Sequence, residues 1–569
     1  MVQQTGHEQR PQFTGGDSDE NVRPAYELGG DHYEQRVIQA AKRTTESYYS
    51  MVSGLERQDF VGHNERVAIY IRAFIGEEIP PEVRAAVLAA AHLHDLPDRA
   101  VNTHSPRYNV ERAEAAKIAQ LNFFSDPNLD EKTANYILSL LADTMRVEGM
   151  AGQYRKSSVD EATVGARRLS PELKKMVKSR YKGEIPPEVW GVVEPMMDPE
   201  HLEGAIRAVD PYAIYIGACE ILDNITRPSS ERDSAILQDV LEAESFYIPL
   251  CEILGYEALA AKLVGRCKKV RLEKQGKTEF INKARAILDD VTDLDTTKLV
   301  SSALGMSDIN TLPVIGEYQY SIEDTDRATE ERPSIMGEVI PQSKGATRIK
   351  YRIKSEGSLA DSIKRGQEQG RDSLPMDVLG VTVISRDQRQ SAVNFAEFIA
   401  NNLLQAEVDD RTLQAAPSKQ RAIYVQGSFE YVNMVLAELD ARGIPRDAYD
   451  FKFQDDATRD KYDVDILEVA KATYLTSQHN EGREIKVPTE VQFITQDERE
   501  RMRIGDIAHI IYKYLSQISC TRREEYRIRK RFIALMRHIY AHKKRAGHGL
   551  DVNPSSVPYA EDYAHKLTS

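Results

Sequence analysis

Arg352 and Lys354 stand two residues apart, the spacing that puts both side chains on one face of a β-strand. Ser358 follows four residues after Lys354, and a short helical run continues to Lys364. Asp377 then opens the apolar run Val378–Ile384. Two cations, a hydroxyl and a carboxylate held by a strand and a helix make a phosphate clamp with a metal-binding acid. Further on, Glu490-Val-Gln492-Phe-Ile-Thr495 reads as a strand with Glu490 and Gln492 on one face. Asp377 and Glu490 could share one Mg²⁺, which prefers hard oxygen ligands. Phosphoryl or pyrophosphoryl transfer is mainly positioning and charge neutralisation. Arginine can clamp phosphate bidentately, and a carboxylate beside the acceptor hydroxyl can take its proton.

A second set lies nearer the N-terminus. His63, the dipeptide His94-Asp95 and Asp223 can supply four ligands to a divalent transition metal. Imidazole with carboxylate suits Mn, Fe or Zn, and such an ion acidifies water for attack on a phosphate ester. Asp98, one helical turn after His94, could orient or deprotonate that water, although Pro97 predicts that the helix bends or ends there.

These residues need elements to carry them. Val83, Val87, Ala90 or Ala91 and His94 recur at helical spacing. So do Tyr136, Leu138, Leu140 and Leu141, and residues 211–225 read as a buried helix with Pro211 in its first turn. Helices continue through 234–265 and 279–290. The pattern changes near residue 310, where alternating segments at 347–353, 378–384, 422–425, 471–475 and 487–494 predict strands between helices. The expected fold class is therefore multidomain, α followed by α/β: an all-helical domain, then a mixed-sheet domain. The expected boundaries are a disordered tail over 1–30, poor in large apolar residues; the helical domain over 31–230; a helical connector over 231–300; the sheet domain over 301–515; and a basic helix and tail over 516–569.

At 569 residues the chain is too long for one core. It is 41% hydrophobic and 29% charged, ordinary for a soluble protein. A formal net charge of −14 argues against a general nucleic-acid binder. Cys219, Cys251, Cys267 and Cys520 are scattered, which suggests a reducing compartment without a disulfide framework. With no long apolar run and no signal-type segment, a cytoplasmic protein without membrane contact is expected.

The ordered set of His63, His94-Asp95 and Asp223 in an all-helical region resembles the HD phosphohydrolase superfamily. More narrowly, it resembles the hydrolase domain of RelA/SpoT homologues, the enzymes of the guanosine alarmones ppGpp and pppGpp. His63-Asn-Glu-Arg-Val-Ala68 resembles the first histidine turn of that domain, and His94-Asp-Leu-Pro-Asp98 its His-Asp-x-x-Glu-Asp segment. Ile221-Leu-Asp223-Asn224 resembles its Leu-Ala-Asp-Arg helix, and Tyr247–Gly255 the segment leading out of it. The second set is similar to the synthetase domain of the same family, a nucleotidyltransferase-like fold. Arg352-x-Lys354-x-x-x-Ser358 matches its Arg-x-Lys-x-x-x-Ser motif, and Asp377-Val-Leu-Gly380 its Asp-x-x-Gly strand. Thr489-Glu-Val-Gln492 matches its Glu-Ile-Gln strand, and Gly505–Lys513 its Gly-x-x-Ala-His-x-x-Tyr-Lys helix.

The resemblance implies a bifunctional enzyme. The sheet domain would transfer pyrophosphate from ATP to the 3′-hydroxyl of GDP or GTP with Mg²⁺. The helical domain would remove the 3′-pyrophosphate from (p)ppGpp with a Mn²⁺-type ion. It assigns Asp98, Asp377 and Glu490 to catalysis. His63, His94, Asp95 and Asp223 would hold the first metal, and Asp377 and Glu490 the second. Arg352, Lys354, Ser358, Lys364, Tyr474, His479 and Gln492 would bind substrate, Tyr474 by stacking on the acceptor guanine. The chain departs from the family pattern at Arg99, Thr382, Ile494 and Arg227. Other readings are one active domain with a regulatory partner domain, a nucleotide sensor on RNA or the ribosome, and a synthetase-like toxin with another acceptor. Residues 521–545 hold ten Lys/Arg against two Glu, a charge pattern that could contact RNA. We read them instead as a solvated helix packed on the domains.

Overall fold

The computed structural model describes residues 32–52, 57–75, 79–97, 110–127, 129–165, 187–192, 199–226, 233–292, 294–305, 314–319, 335–339, 346–370, 375, 377–403, 422–444, 451–454, 468–480, 483–504 and 557–568. The described N-terminal part is helical: α1 (His32–Met51), α2 (Arg57–Phe74), α3 (Pro81–Leu93), α4 (Val110–Phe124), α5 (Glu131–Gly165), α6 (Pro187–Val192), α7 (Pro199–Ala208), α8 (Pro211–Thr226), α9 (Asp233–Glu242), α10 (Ile248–Leu254), α11 (Glu257–Lys274), α12 (Thr278–Thr292) and α13 (Thr296–Leu304). Strands β1 (Val314–Gln319), β2 (Ile335–Val339) and β3 (Ala346–Ile353) follow, then α14 (Glu356–Glu368), β4 (Leu379–Ser385) and α15 (Gln388–Phe398). The rest is β5 (Ala422–Gln426), α16 (Phe429–Ala441), β6 (Phe451–Gln454), β7 (Val469–Asn480), β8 (Arg483–Thr495), α17 (Gln496–Ile504) and α18 (Val557–Thr568). No described helix is long and apolar enough to cross a membrane.

The coarse expectation of helices followed by a mixed sheet holds. The sheet has eight strands in the order β1-β2-β3-β4-β8-β7-β5-β6, with β4–β8 and β5–β6 parallel. Sequence reading missed β1, β2 and β6. The first two carry a central glycine, which weakens a strand pattern, and β6 has only four residues. It also cut β7 and β8 short, because these form one long antiparallel hairpin that extends beyond the apolar stretch.

Two cores organise the chain. The first spans Val37 to Val270, and the second Leu272 to Phe493. The change of core therefore falls inside α11, and the connector expected over 231–300 is divided between them. Helices α9 and α10 close the helical core, whereas α12 and α13 cover the sheet. In the helical core, α3 is almost wholly buried, and its run of alanines lets α1, α2 and α5 approach closely. Helix α8, likewise buried, packs on α2, α5 and α11. In the sheet, Arg348-Ile-Lys-Tyr-Arg-Ile-Lys354 alternates strictly. Ile349, Tyr351 and Ile353 enter the core, and the cations keep to the other face. The chain also returns on itself. Tyr563 of α18 lies in the helical core, its hydroxyl donating to Gln120, and Tyr559 lies under the Arg146 guanidinium, 3.6 Å from ring centroid to Cζ.

The two cores are joined where α11 crosses α14. A Cβ on Gly357 would overlap the Gly265 carbonyl oxygen and come within 2.8 Å of the Lys269 nitrogen. Only glycine allows that approach. Beside it Glu356, fully buried, pairs with Lys269 at 3.1 Å and Arg285 at 3.0 Å. Gly357→Ala is expected to cost about 1–3 kcal/mol through overpacking. Gly204→Ala, with nothing within 4 Å of the new methyl, is expected to be neutral or mildly stabilising. Urea unfolding of both variants against the parent checks this, and equal midpoints would show that the crossing is not tight.

Candidate functional site

The helical constellation assembles where α2, the end of α3 and α8 meet. His94 follows α3 as its C-terminal cap with helical backbone angles. Its Nδ1–H donates to the Ala91 carbonyl at 2.7 Å. That bond fixes the tautomer and leaves Nε2 as the acceptor nitrogen. His94 Nε2 is buried and has no hydrogen-bond partner. An orphaned buried imidazole nitrogen is costly, and it is the atom a metal ion would use. His63 lies beside it, the ring centroids 5.3 Å apart, and its Nδ1–H donates to Asp223 Oδ2 at 2.7 Å. Ligand atoms of His63, His94 and Glu220 all fall within 4.8 Å of one another, and this is the group among the described residues able to hold a metal ion.

Glu220 was missed by sequence reading. It lies one helical turn before Asp223 on α8, so the two share a face; that spacing was the available signal. Asp223 is placed differently from expectation. Both its oxygens are engaged: Arg66 donates from Nε to Oδ1 and from Nη2 to Oδ2, each at 2.7 Å, alongside the bond from His63. Asp95 is half-buried next to His94 and acts on His63 through its charge. Burial works against a protonated His63. The Asp223 hydrogen bond and the charges of Asp95, Asp223 and Glu220 outweigh it, and the pKa is raised. Burial likewise opposes ionised Asp223, but the bonds from His63 and Arg66 prevail and its pKa is lowered. Asp98, Arg99 and Arg227 lie outside the described residues.

Helix α8 is held at its start by a second buried acid. Asp210 Oδ1 accepts from the Tyr212 backbone N–H at 2.8 Å, an N-cap bond. The Asp210 N–H donates to Asp143 Oδ2 at 2.8 Å, and Arg146 donates to Asp143 at 2.8 Å. Burial, with the nearby Asp143 charge, pushes the Asp210 carboxyl up to about 7.

The sheet constellation sits at the end of β3 and the start of β4. The Lys354 N–H donates to the Val378 carbonyl at 2.9 Å, prolonging the β3–β4 ladder and bringing Lys354 to Asp377. Lys354 Nζ lies 2.5 Å from Asp377 Oδ2 and 3.2 Å from Ser362 Oγ. Burial lowers the Lys354 pKa in spite of Asp377. Across the sheet, register aligns Arg352, Gly380, Glu490 and Thr473 in one row. The next row is Lys350, Thr382, Gln492 and Lys471. Lys471 Nζ reaches Glu490 Oε2 at 2.9 Å, and Gln492 donates to Glu490 Oε1 at 2.6 Å. Lys350, on β3, and Lys471, on β7, thus stand in the row of Thr382, paired with Glu257 at 3.3 Å and Glu490 at 2.9 Å. In the third row Ile494 is sealed with Ile384 and Val469 in a small apolar cluster against Met502.

Three residues expected at this site are elsewhere. Tyr474 is one residue out of phase with Lys471 and Thr473, so it faces the core. It donates from its hydroxyl to the Ala303 carbonyl and packs on Phe398, and burial raises its pKa. A ring held there is core packing, which corrects the expected stacking on a base. Lys364 turns away from Lys354 to reach Gln275 at 3.4 Å. The backbone of His479 pairs with Glu484 six residues along β7 from Thr473, about 20 Å from the Glu490 row. Ser358 lies on α14 near Gly265, and its carbonyl accepts from Ser362. The helix expected at 505–513 and the basic run 521–545 lie outside the described residues. No protein-family model matches this chain, and no match is found among curated proteins.

The Asp210 carboxyl gives a pH prediction. Its folded pKa is raised above the unfolded value of 3.8 to about 7, so its stabilising contribution is complete below about 4 and is lost as pH rises through about 7. Asp210→Asn does not titrate. The melting temperature of the variant minus that of the parent is expected to grow from about pH 4 to about pH 8, and a pH-independent difference would contradict the assignment.

Proposed function

We propose that this chain is a divergent bifunctional enzyme of guanosine alarmones. The sheet half would transfer pyrophosphate from ATP to the 3′-hydroxyl of GDP or GTP. The helical half would hydrolyse the 3′-pyrophosphate of ppGpp or pppGpp. The observation that carries this reading is the cluster where β3 ends and β4 begins, with Arg352, Lys354 and Asp377 there and Glu490 of β8 in the row of Arg352 and Gly380.

In the forward reaction the acceptor 3′-oxygen attacks the β-phosphorus of ATP, the bridge to the α-phosphate breaks, and AMP leaves. Arg352 and Lys354 bind the donor's phosphates. Asp377 and Glu490 would hold Mg²⁺, whose hard-oxygen preference their carboxylates suit; one of them takes the proton from the acceptor hydroxyl. Lys350 and Lys471 add positive charge in the row where Thr382 brings none. In the helical half, His63, His94 and Glu220 would hold the ion, with a Mn²⁺-type ion preferred. Such an ion lowers the pKa of water and so makes a nucleophile available at neutral pH. The buried, partnerless Nε2 of His94 is the main support for a metal there.

The decisive experiment separates nucleotide products after incubation with ATP and each of GDP, GTP, GMP and AMP, followed by added ppGpp with Mn²⁺. A 3′-pyrophosphorylated guanosine nucleotide with AMP supports the synthetase, and release of pyrophosphate from ppGpp supports the hydrolase. Cleavage without synthesis leaves a hydrolase with a regulatory sheet domain, and a product only with AMP as acceptor indicates a different substrate. Glu490→Gln is expected to lower synthesis about 10²–10⁴-fold while leaving hydrolysis intact.

Opposed activities in one chain need coupling, and the Gly265–Gly357 crossing with the Glu356, Lys269 and Arg285 group is where the halves meet. Glu356 begins the helix that follows Lys354, so movement of α11 is transmitted to the clamp. Nucleotide at one site should therefore lower activity at the other. Glu356→Gln is expected to cost about 3–5 kcal/mol by leaving the buried Lys269 uncompensated and to relieve that cross-inhibition. The triple variant E356L/K269M/R285M, which replaces the whole charged group by apolar side chains, should recover stability but not inhibition; recovered inhibition would count against the route.

A further inference from the structure

In the metal-binding reading, His63, His94, Asp223 and Glu220 are all near enough to matter, but the structure does not give the two carboxylates the same work. Asp223 accepts three charge-assisted hydrogen bonds, two from the Arg66 fork and one from His63. It is 2% exposed. To bind an ion directly it would have to leave part of that fork. Glu220 is half-buried, and no hydrogen bond or ion pair among the described residues engages it. Its oxygen lies within 4.8 Å of ligand nitrogens on both His63 and His94.

The histidines point the same way. His94 spends Nδ1 on the Ala91 carbonyl, and His63 spends Nδ1 on Asp223. Each therefore has Nε2 left for an ion. A ligating histidine whose other nitrogen donates to a backbone carbonyl or a carboxylate is the usual outer support of a metal site.

We propose that Glu220 is the carboxylate ligand of the helical metal centre, and that Asp223, locked by Arg66, is a positioning residue that orients His63. Two histidines and one glutamate would then hold the ion, three protein ligands being the number a catalytic metal site uses. The charge balance agrees. A divalent ion with Arg66 offsets the carboxylates of Asp95, Glu220 and Asp223 with both imidazoles neutral. Arg66 has a signal in the sequence, one helical turn after His63 on α2, where its guanidinium can reach across to α8.

This inference rests on the metal-centre reading of the helical half, and the test separates the two. The full-length protein is titrated calorimetrically with MnCl₂ and with ZnCl₂, and binding of Mn²⁺ is followed in parallel by its electron paramagnetic resonance signal. The variants are E220Q, D223N, H94A and the pair R66Q/D223N, which removes the buried carboxylate and its half-buried cation together and so guards against a variant that fails to fold. Melting without metal is recorded for each. E220Q is expected to weaken binding by more than about a hundredfold, beyond the range for an outer-sphere partner. D223N and R66Q/D223N are expected to weaken it about 10–100-fold, within that range. Loss in D223N or in the pair that exceeds the loss in E220Q overturns the assignment while leaving a metal centre in place. If H94A binds as tightly as the parent, the metal-centre reading itself fails, and the assignment falls with it.

Discussion

The contact between Gly265 on α11 and Gly357 on α14 constrains the rest of this protein. Both positions lack a side chain, and the helices come close enough that a methyl group at Gly357 would overlap the partner carbonyl. Close packing brings Glu356 into a fully buried position, where Lys269 and Arg285 neutralise it. A buried carboxylate is tolerable only with such partners. The crossing therefore fixes α14, and α14 in turn fixes Ser362 under Lys354. The clamp that binds phosphate in our reading is built on a helix whose placement is decided by the helical half.

Three carboxylates at the two constellations follow one rule. Asp223 has Arg66 and His63, Asp377 has Lys354, and Glu490 has Lys471 and Gln492. In each case the carboxylate is satisfied locally by a cation on a neighbouring element. Such pairs hold the anion in place, and they present cations beside it for a phosphate to meet. Glu220 and His94 Nε2 are exceptions, and their position next to one another is what makes the helical cluster a metal candidate. Helix α8, which carries both Glu220 and Asp223, is anchored at its other end by Asp210 and the buried Asp143–Arg146 pair. Arg146 in turn carries Tyr559 of α18. Helix α18 thus reaches the helix that carries the site through a short relay of contacts.

Much of this was legible in the sequence because local patterns were strong. Period-two alternation in Arg348–Lys354 announced a half-buried strand, and its cations emerge together on the open face. The near-continuous apolar run over 211–225 announced a buried helix, and the structure packs it among its neighbours, α2, α5 and α11 foremost. The sequence also carried the spacing of Glu220 before Asp223 and of Arg66 after His63, but a one-turn spacing is common to every helix, so it did not single them out.

Residue types and spacing alone determined which groups could do chemistry: the Arg352–Lys354–Asp377 clamp, the Glu490 strand, and the two histidines with their acids. They also determined that a helical part precedes a mixed sheet. The tertiary structure alone decided which of these groups meet. Strand register places Glu490 opposite Gly380 and turns Tyr474 into the core, because a shift of one residue exchanges the faces of a strand. Helix packing places Arg66 on Asp223 and brings Glu220 within reach of both histidines, because contacts between α2 and α8 join residues about 160 positions apart in sequence. Local periodicity gives the face of an element; only the packing of one face on another gives its partner.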